Sequence, residues 1–435
     1  MVNRRLKKVT AVFLAVCMSF CMSACGTKAN YTKEADTPGY KSGNLLDGIS
    51  ADRAEEIDMD DKFIMASTEF AIHLFKESAL SEVRSGKNVM ISPESIQLAL
   101  SMTANGANGN TLAQMENVLC NGLTLDELNR YNFSLMNKQM NEAEVEIAVA
   151  NSLWIKDAEG SIKVKDSFLK ADKTYYNADA FLEPFDESTM DAINTWVFDN
   201  TNGMVRDILD RIDEDAIMYL INAIAFEGEW EEQYKDFRIH ENTDFHNADG
   251  SISKVNILRS DESYYMYDEN SKAFIKPYKG GRYGFMAILP NEGVTVEDYI
   301  VGMTTESFMS LYNSRNYDVD VLAGIPEFSY DYNYLVNDTL IALGMSDAFD
   351  EEKADFTNMG EIRDNIYINR VLHKTHIEVD RNGTKAAAAT VVEMDKETCM
   401  QNTQVEEIVL DRPFIYAIVD IQTGLPIFLG VVNDL

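Results

Sequence analysis

The chain has 435 residues, 46% apolar and 25% charged, the composition of a globular protein with one large domain or two ordinary ones. Its 72 acids against 38 bases give a formal charge of −34, which argues against a nucleic-acid partner because phosphates would be repelled. Only one apolar run approaches membrane length, and it lies at the N-terminus, so a polytopic membrane protein is excluded.

Residues 1–25 read as a secretion signal. Arg4, Arg5, Lys7 and Lys8 form a basic start, and Val9 to Cys21 is an apolar stretch of 13 residues, too short to span a bilayer. Met22-Ser23-Ala24-Cys25 resembles the lipobox of bacterial lipoproteins, in which Cys25 would be diacylated. Met22 stands where Leu is usual. Ordinary cleavage near Ala24, leaving Cys25 a free thiol, is the alternative. Two acyl chains, at ~0.8 kcal/mol per buried methylene, anchor stably. Residues 1–24 are thus expected to be a lipoprotein signal peptide. Its loss removes four bases and no acid, giving a mature charge of −38. Residues 25–60 are polar and weakly patterned. They read as a flexible membrane tether that holds a folded domain, 61–435, at the outer face of the cell membrane.

Of five cysteines, only Cys120 and Cys399 fall in the folded part. That is neither a disulfide framework nor a cysteine metal site.

Phe63, Ala66, Phe70, Leu74 and Phe75 recur at helical spacing, so a helix is expected over 62–80. Residues 88–91 form a short strand. Ser92 is placed to cap a second helix with Pro93 at its first position. Gly106 and Gly109 mark a turn, and Asn110-Thr111 opens another helix. Strands are expected at 146–154, 218–226 and 285–289, and around Pro326 at 319–322 and 328–330. A helix is expected over 335–343, stopping at Gly344. Two further strands, 414–419 and 427–432, close the chain. Helices come first and strands later without βαβ alternation, which favours α+β with mainly antiparallel sheets. No internal repeat is evident.

Catalytic signals are weak. His373 and His376 stand three apart without a carboxylate-rich motif, so they read as structural or surface histidines and no metal site is assigned. No glycine-rich phosphate loop, Gly-x-Ser-x-Gly elbow or marked carboxylate dyad occurs. No cofactor and no enzymatic activity are expected.

Residues 383–392, Gly-Thr-Lys-Ala-Ala-Ala-Ala-Thr-Val-Val, are unusual. Four alanines favour helix, whereas Thr390, Val391 and Val392 favour strand. With period two, Thr384, Ala386, Ala388, Thr390, Val392 and Met394 share a small or apolar face, and Lys385, Glu393 and Asp395 lie opposite. Alone, the stretch is open between a helical turn and a strand.

Six ordered blocks then carry a resemblance. They are Asn88-Val89-Met90-Ile91-Ser92-Pro93 through Gly106-Ala107-Asn108-Gly109-Asn110-Thr111; residues 222–230, Asn-Ala-Ile-Ala-Phe-Glu-Gly-Glu-Trp; Pro326-Glu327-Phe328; Leu343-Gly344-Met345 with Ala348-Phe349; His373-Lys374 ten residues before Gly383; and Asp411-Arg412-Pro413-Phe414. Over about 62–435 the chain resembles a serpin. It departs at its end, Val432-Asn433-Asp434-Leu435, where the family usually has Asn-Pro.

The resemblance implies the serpin fold, with three mainly antiparallel sheets, eight or nine helices and an exposed reactive loop. It also implies suicide-substrate inhibition. A protease cleaves the loop as an acyl-enzyme, and the loop inserts into the large sheet and drags the protease with it. Strand insertion of this kind is a β-strand addition that releases stored strain. The hinge would be Gly383, Thr384, Lys385, Ala386, Ala387, Ala388, Ala389 and Thr390, its even-numbered face turned inward. From Gly383 to Glu397 the inserted strand would span ~50 Å. Ser92, Ser95 and Asn222 would form a polar cluster where the central strands part, and His373 and Trp230 would lie where the loop first enters. Arg381 and Glu327 occupy positions where the family usually has Glu and sometimes has Lys, which implies an ion pair with its signs exchanged.

The bait bond is expected within 396–400, among Lys396, Glu397, Thr398, Cys399 and Met400. The stretch from Gly383 to Pro413 is longer than is common in the family, so no single bond is selected. Trypsin-, glutamyl-, elastase- or subtilisin-like serine proteases, or a cysteine protease, are the implied partners of a monomeric inhibitor. A non-inhibitory serpin-fold binding module and a surface hydrolase are the competing readings. The intact hinge disfavours the first, and the missing catalytic constellation the second.

Overall fold

Helix α1 (Asp61–Arg84) begins at Asp60, whose carboxylate accepts from the Phe63 amide, and buries Phe63, Ala66, Phe70, Leu74 and Phe75. In the computed structural model, which describes residues 43–50, 54–157, 163–176, 178–213, 216–361, 365–384 and 404–435, the helix runs four residues past its expected end. Helix α2 (Pro93–Ala104) is capped by Ser92 Oγ, which accepts from Ser95 N–H, and every one of its residues is buried. A helix covered on all sides must sit inside the protein. Helices α3 (Gly109–Leu119), α4 (Leu125–Met140), α5 (Asp166–Tyr175), α6 (Glu187–Asn200), α7 (Val296–Gly302), α8 (Thr305–Asn313) and α9 (Asn337–Leu343) follow.

The first sheet contains β12 (Phe328–Leu335), β14 (Arg370–Val379), β15 (Gly383–Thr384), β5 (Met218–Glu229), β2 (Val145–Lys156) and β4 (Asp179–Glu183), in that order. The second runs β1 (Val89–Ile91), β18 (Pro426–Val432), β17 (Phe414–Asp420), β10 (Tyr283–Pro290), β9 (Ser271–Pro277) and β8 (Tyr265–Tyr267). The third holds β16 (Gln404–Val409), β11 (Val319–Pro326), β7 (Ile252–Glu262) and β6 (Ile239–His246). A two-stranded ribbon joins β3 (Lys163–Val164) to β13 (Gly360–Glu361). Pairing is antiparallel except for β11 with β16, β2 with β4, and β14 with β5.

The first sheet is covered on both faces, so β5 reads as a continuous apolar run. Leu220, Ile224 and Phe226 join the main core, which also holds residues of α1, α2 and the second sheet. Tyr219, Ile221 and Ala223 pack on the opposite side with Trp154, Ile193, Trp196 and Val197, under α6. On the main-core face the alternation places the polar Asn222 among apolar neighbours.

Two sequence expectations need correction. The helix expected over 335–343 starts later, because Tyr330, Tyr332 and Tyr334 continue β12 with period two as far as Leu335. Gly344 ends α9 in a left-handed conformation, φ +118°. The second correction concerns the tether read over 25–60. Its described residues, 43–50 and 54–60, pack on the folded domain. Asn44 bridges Phe181, Leu45 N–H donates to Ala180 O at 2.7 Å, and Leu46 is 1% exposed. Ile57 N–H donates to Ser134 Oγ at 2.9 Å. The apolar residues Leu45, Leu46, Ile49, Ile57 and Met59 are too sparse to show a period, yet each rests on the main core. The signal peptide, Cys25, the hinge residues Lys385, Ala386, Ala387, Ala388, Ala389 and Thr390, and the bond candidates Lys396, Glu397, Thr398, Cys399 and Met400 lie outside the described residues.

Candidate functional site

Two arrangements occupy the first sheet between β14 and β5. At one level the strands pair directly and in parallel, Arg370 to Lys374 against Tyr219 to Ala223. At the other level β15 lies between them, antiparallel to both. Thr384 faces Val379 on one side and Gly228 on the other. Residues 224–227 and 375–378 lie between the two levels. The sheet is therefore a seam that is closed at one end and already parted at the other.

Beneath the closed seam lies a buried polar network. Asn222 Nδ2 donates to Ser95 O at 2.8 Å and to Asn151 Oδ1 at 2.7 Å, and it also contacts Ser95 Oγ. His373, the register partner of Asn222, lies with Nδ1 2.6 Å from Asn222 Oδ1. Ser92 N–H donates to His373 Nε2 at 3.0 Å, which places the ring proton on Nδ1. Ser92 Oγ donates to Ile427 O at 2.8 Å, joining the network to β18. His373 is fully buried, and burial lowers its pKa to about 3. The neutral imidazole can accept from Ser92; the protonated form cannot.

His373 therefore belongs with Ser92, Ser95 and Asn222, which corrects its expected place beside Trp230. Its partner Asn222 lies six positions along β5 from Gly228, about 20 Å of strand. Asn151, of β2, completes a row across three strands. No local motif marked it, because its link to Asn222 is one of register.

At the parted end, a tight turn joins β14 to β15. Asp380 Oδ1 accepts from the amides of Asn382 and Gly383, at 2.7 and 3.0 Å. A Cβ on Gly383 would come within 2.1 Å of Gly228 O, so only glycine allows β15 this close to β5. Thr384 is 2% exposed, and its Oγ1 lies 2.6 Å from the hydroxyl of Tyr278. Its side chain thus points into the protein. Tyr278 stacks on Trp230, with ring centroids 4.7 Å apart, and Trp230 Nε1–H donates to Asp380 O at 2.9 Å. Tyr278 was not singled out from sequence. It lies just after β9, far along the chain from the hinge.

Arg381 sits on the turn. Its Nε is 3.7 Å from Glu327 Oε1, and its Nη1 is 3.3 Å from Asp236 Oδ1. Asn256 Nδ2 donates to the other oxygen of Glu327 at 2.8 Å. Among the described residues, no group of three or more His, Cys, Asp or Glu side chains could hold a metal ion. Cys120 is a free, buried thiol whose pKa burial pushes up to about 12.

The comparisons match this architecture. The family model described as Serpin (serine protease inhibitor) matches residues 65–435. An uncharacterised serpin-like protein of Methanosarcina acetivorans is 30% identical, covering 85% of this chain and 87% of its own. Human leukocyte elastase inhibitor is 30% identical over 84% of this chain and 97% of its own. The crystal structure of tengpin, a thermophilic serpin, in its native state superposes with a TM-score of 0.85 at 42% identity, covering 91% of this chain and all of that one. Its latent state superposes at 0.76. With three sheets, nine helices among the described residues and a family match over most of its length, the chain belongs to the serpin family, whose members are typically protease inhibitors.

Proposed function

We propose that the protein is a suicide-substrate inhibitor of serine proteases, with cysteine proteases as a further class, and that it acts as a monomer without catalytic turnover. One observation carries this reading. Gly383 and Thr384 are already seated between β14 and β5, with Thr384 turned inward, above a seam that is still paired. Cleavage of the loop beyond them would free the remaining hinge to continue the same strand. The protease serine attacks the bait carbonyl and forms an acyl-enzyme, and the new amino terminus leaves with the C-terminal fragment. Insertion then competes with hydrolysis of the ester. The small residues Ala386, Ala388 and Thr390 favour insertion, because each adds little volume to an opening sheet. The bait bond is proposed within 396–400. Trypsin-, glutamyl-, elastase- and subtilisin-like enzymes match the side chains there. Lipidation of Cys25 would display the inhibitor on the outer face of the cell membrane.

Incubation with a panel of those proteases tests the reading. A complex that survives denaturing gels, with release of a C-terminal peptide whose mass locates the bond, is the expected result. Quantitative loop cleavage by every enzyme without a complex would leave only a serpin-fold binding module.

A further inference from the structure

Beneath the turn that carries the hinge lies a buried ion pair. Lys276 of β9 is 2% exposed, and its Nζ lies 2.9 Å from Oε1 of Glu262, the last residue of β7, which is 7% exposed. The same ammonium lies 4.5 Å from the ring centroid of Tyr234 and 5.5 Å from that of Trp230. A buried pair contributes little net stability over apolar residues of equal volume, so stability alone does not account for it.

Its geometry is directional. Trp230 N–H donates to Asn382 O at 2.9 Å, and Tyr234 N–H donates to Arg381 O at 3.2 Å. Together with the indole bond to Asp380 O, these two residues hold the whole turn before Gly383. A cation is attracted to the face of an aromatic ring, so an ammonium fixed by Glu262 constrains both rings. Trp230 passes that constraint to Tyr278, and Tyr278 to Thr384. Glu262 also faces Val321 of β11, whose other partner is Glu406 of β16, the strand on the far side of the loop.

We propose that Glu262 and Lys276 are positioning residues for loop insertion. The fixed ammonium holds Trp230 and Tyr234 where they seat Gly383 and Thr384 at the top of the seam. The register of the incoming strand is then set before cleavage, which shortens insertion relative to hydrolysis of the acyl-enzyme. This rests on the inhibitory reading above.

Lys276→Met combined with Glu262→Leu removes both charges at similar volume. A merely structural role would lower the melting temperature and leave the behaviour of the folded protein unchanged. The positioning role instead predicts a near-normal melting temperature and an unchanged rate of loop cleavage. The number of inhibitor molecules consumed per protease should rise about threefold or more. Amide hydrogen exchange at Gly383 and Thr384 should quicken by about tenfold, with Leu372 and His373 unaffected. Unchanged exchange at Gly383 and Thr384 overturns the proposal, as does an unchanged stoichiometry in a wild-type protein that does trap protease. If the wild type traps none, the inhibitory reading falls and exchange alone decides whether the pair seats the hinge. Should the double variant not fold, Lys276→Gln, which removes the cation and can still donate a hydrogen bond to Glu262, is read in the same way.

Discussion

His373 and Asn222 face each other across the parallel seam, Nδ1 to Oδ1 at 2.6 Å, on the two strands that must separate if the loop is to insert. The imidazole is neutral in the folded protein, with its pKa lowered by burial to about 3 from an ordinary 6.5. The unfolded chain therefore binds a proton that the folded chain refuses between those values. The stability that this group contributes is complete above pH 6.5 and is lost as the pH falls toward 3, at up to about 1.4 kcal/mol per unit. Denaturant melts at pH 7, 6, 5 and 4 should show that slope, and His373→Gln should flatten it. Identical slopes in the two proteins would remove His373 as the titrating group.

Thr384→Arg should turn the inhibitor into a substrate. The native side chain is buried and bonded to Tyr278, and an unpaired buried guanidinium costs several kcal/mol. Cleavage should proceed at the wild-type rate, while denaturant-stable complexes disappear from gels. Complexes at the wild-type ratio would contradict the inward register of this residue.

Arg381 and Glu327 are partly exposed, at 43% and 23%, and 3.7 Å apart. Such a pair couples by ~0.2–1 kcal/mol. A double-mutant cycle on Arg381→Ala and Glu327→Ala should return a value in that range, together with more polymer after mild heating in either single variant. Asp236 shares the guanidinium but is almost fully exposed, so Asp236→Ala should change polymer formation less. Zero coupling would make the two residues independent surface charges.

Loop cleavage should raise the melting temperature. An inserted strand replaces the five-residue parallel seam with antiparallel ladders on both sides. At about 1 kcal/mol net per hydrogen bond, a dozen new bonds correspond to an increase of about 10 °C or more. Calorimetry on intact and cleaved protein checks this, and equal melting temperatures would speak for a fold that does not insert its loop.

Cys25→Ser tests the proposed anchor. The variant should leave the membrane fraction or retain its signal peptide. Unchanged membrane partitioning with normal processing would exclude lipidation at this residue.

What could be read from sequence alone was local or periodic. Ser92-Pro93 announces the start of α2, because a capping hydroxyl and a proline at the first helical position act within four residues. Gly344 announces the end of α9, because only glycine takes its backbone angles freely. Thr384, which the structure buries, lies on the small face that a period-two reading gives its segment, and the ordered blocks made the family recognisable. Polar α4 was harder to see, since it buries Asn129, Asn132 and Asn137 and so shows no clean apolar stripe. The tertiary structure decided everything that depends on register between distant strands. It brought Asn151, Asn222 and His373 into one row across β2, β5 and β14, and it placed His373 in the seam and not at the hinge. It set Tyr278 under Thr384 and Lys276 against Glu262. Strand pairing joins residues that the chain separates by tens of positions, and no pattern within either segment specifies its partner. Those contacts exist only once the sheets have formed and the core has closed around them.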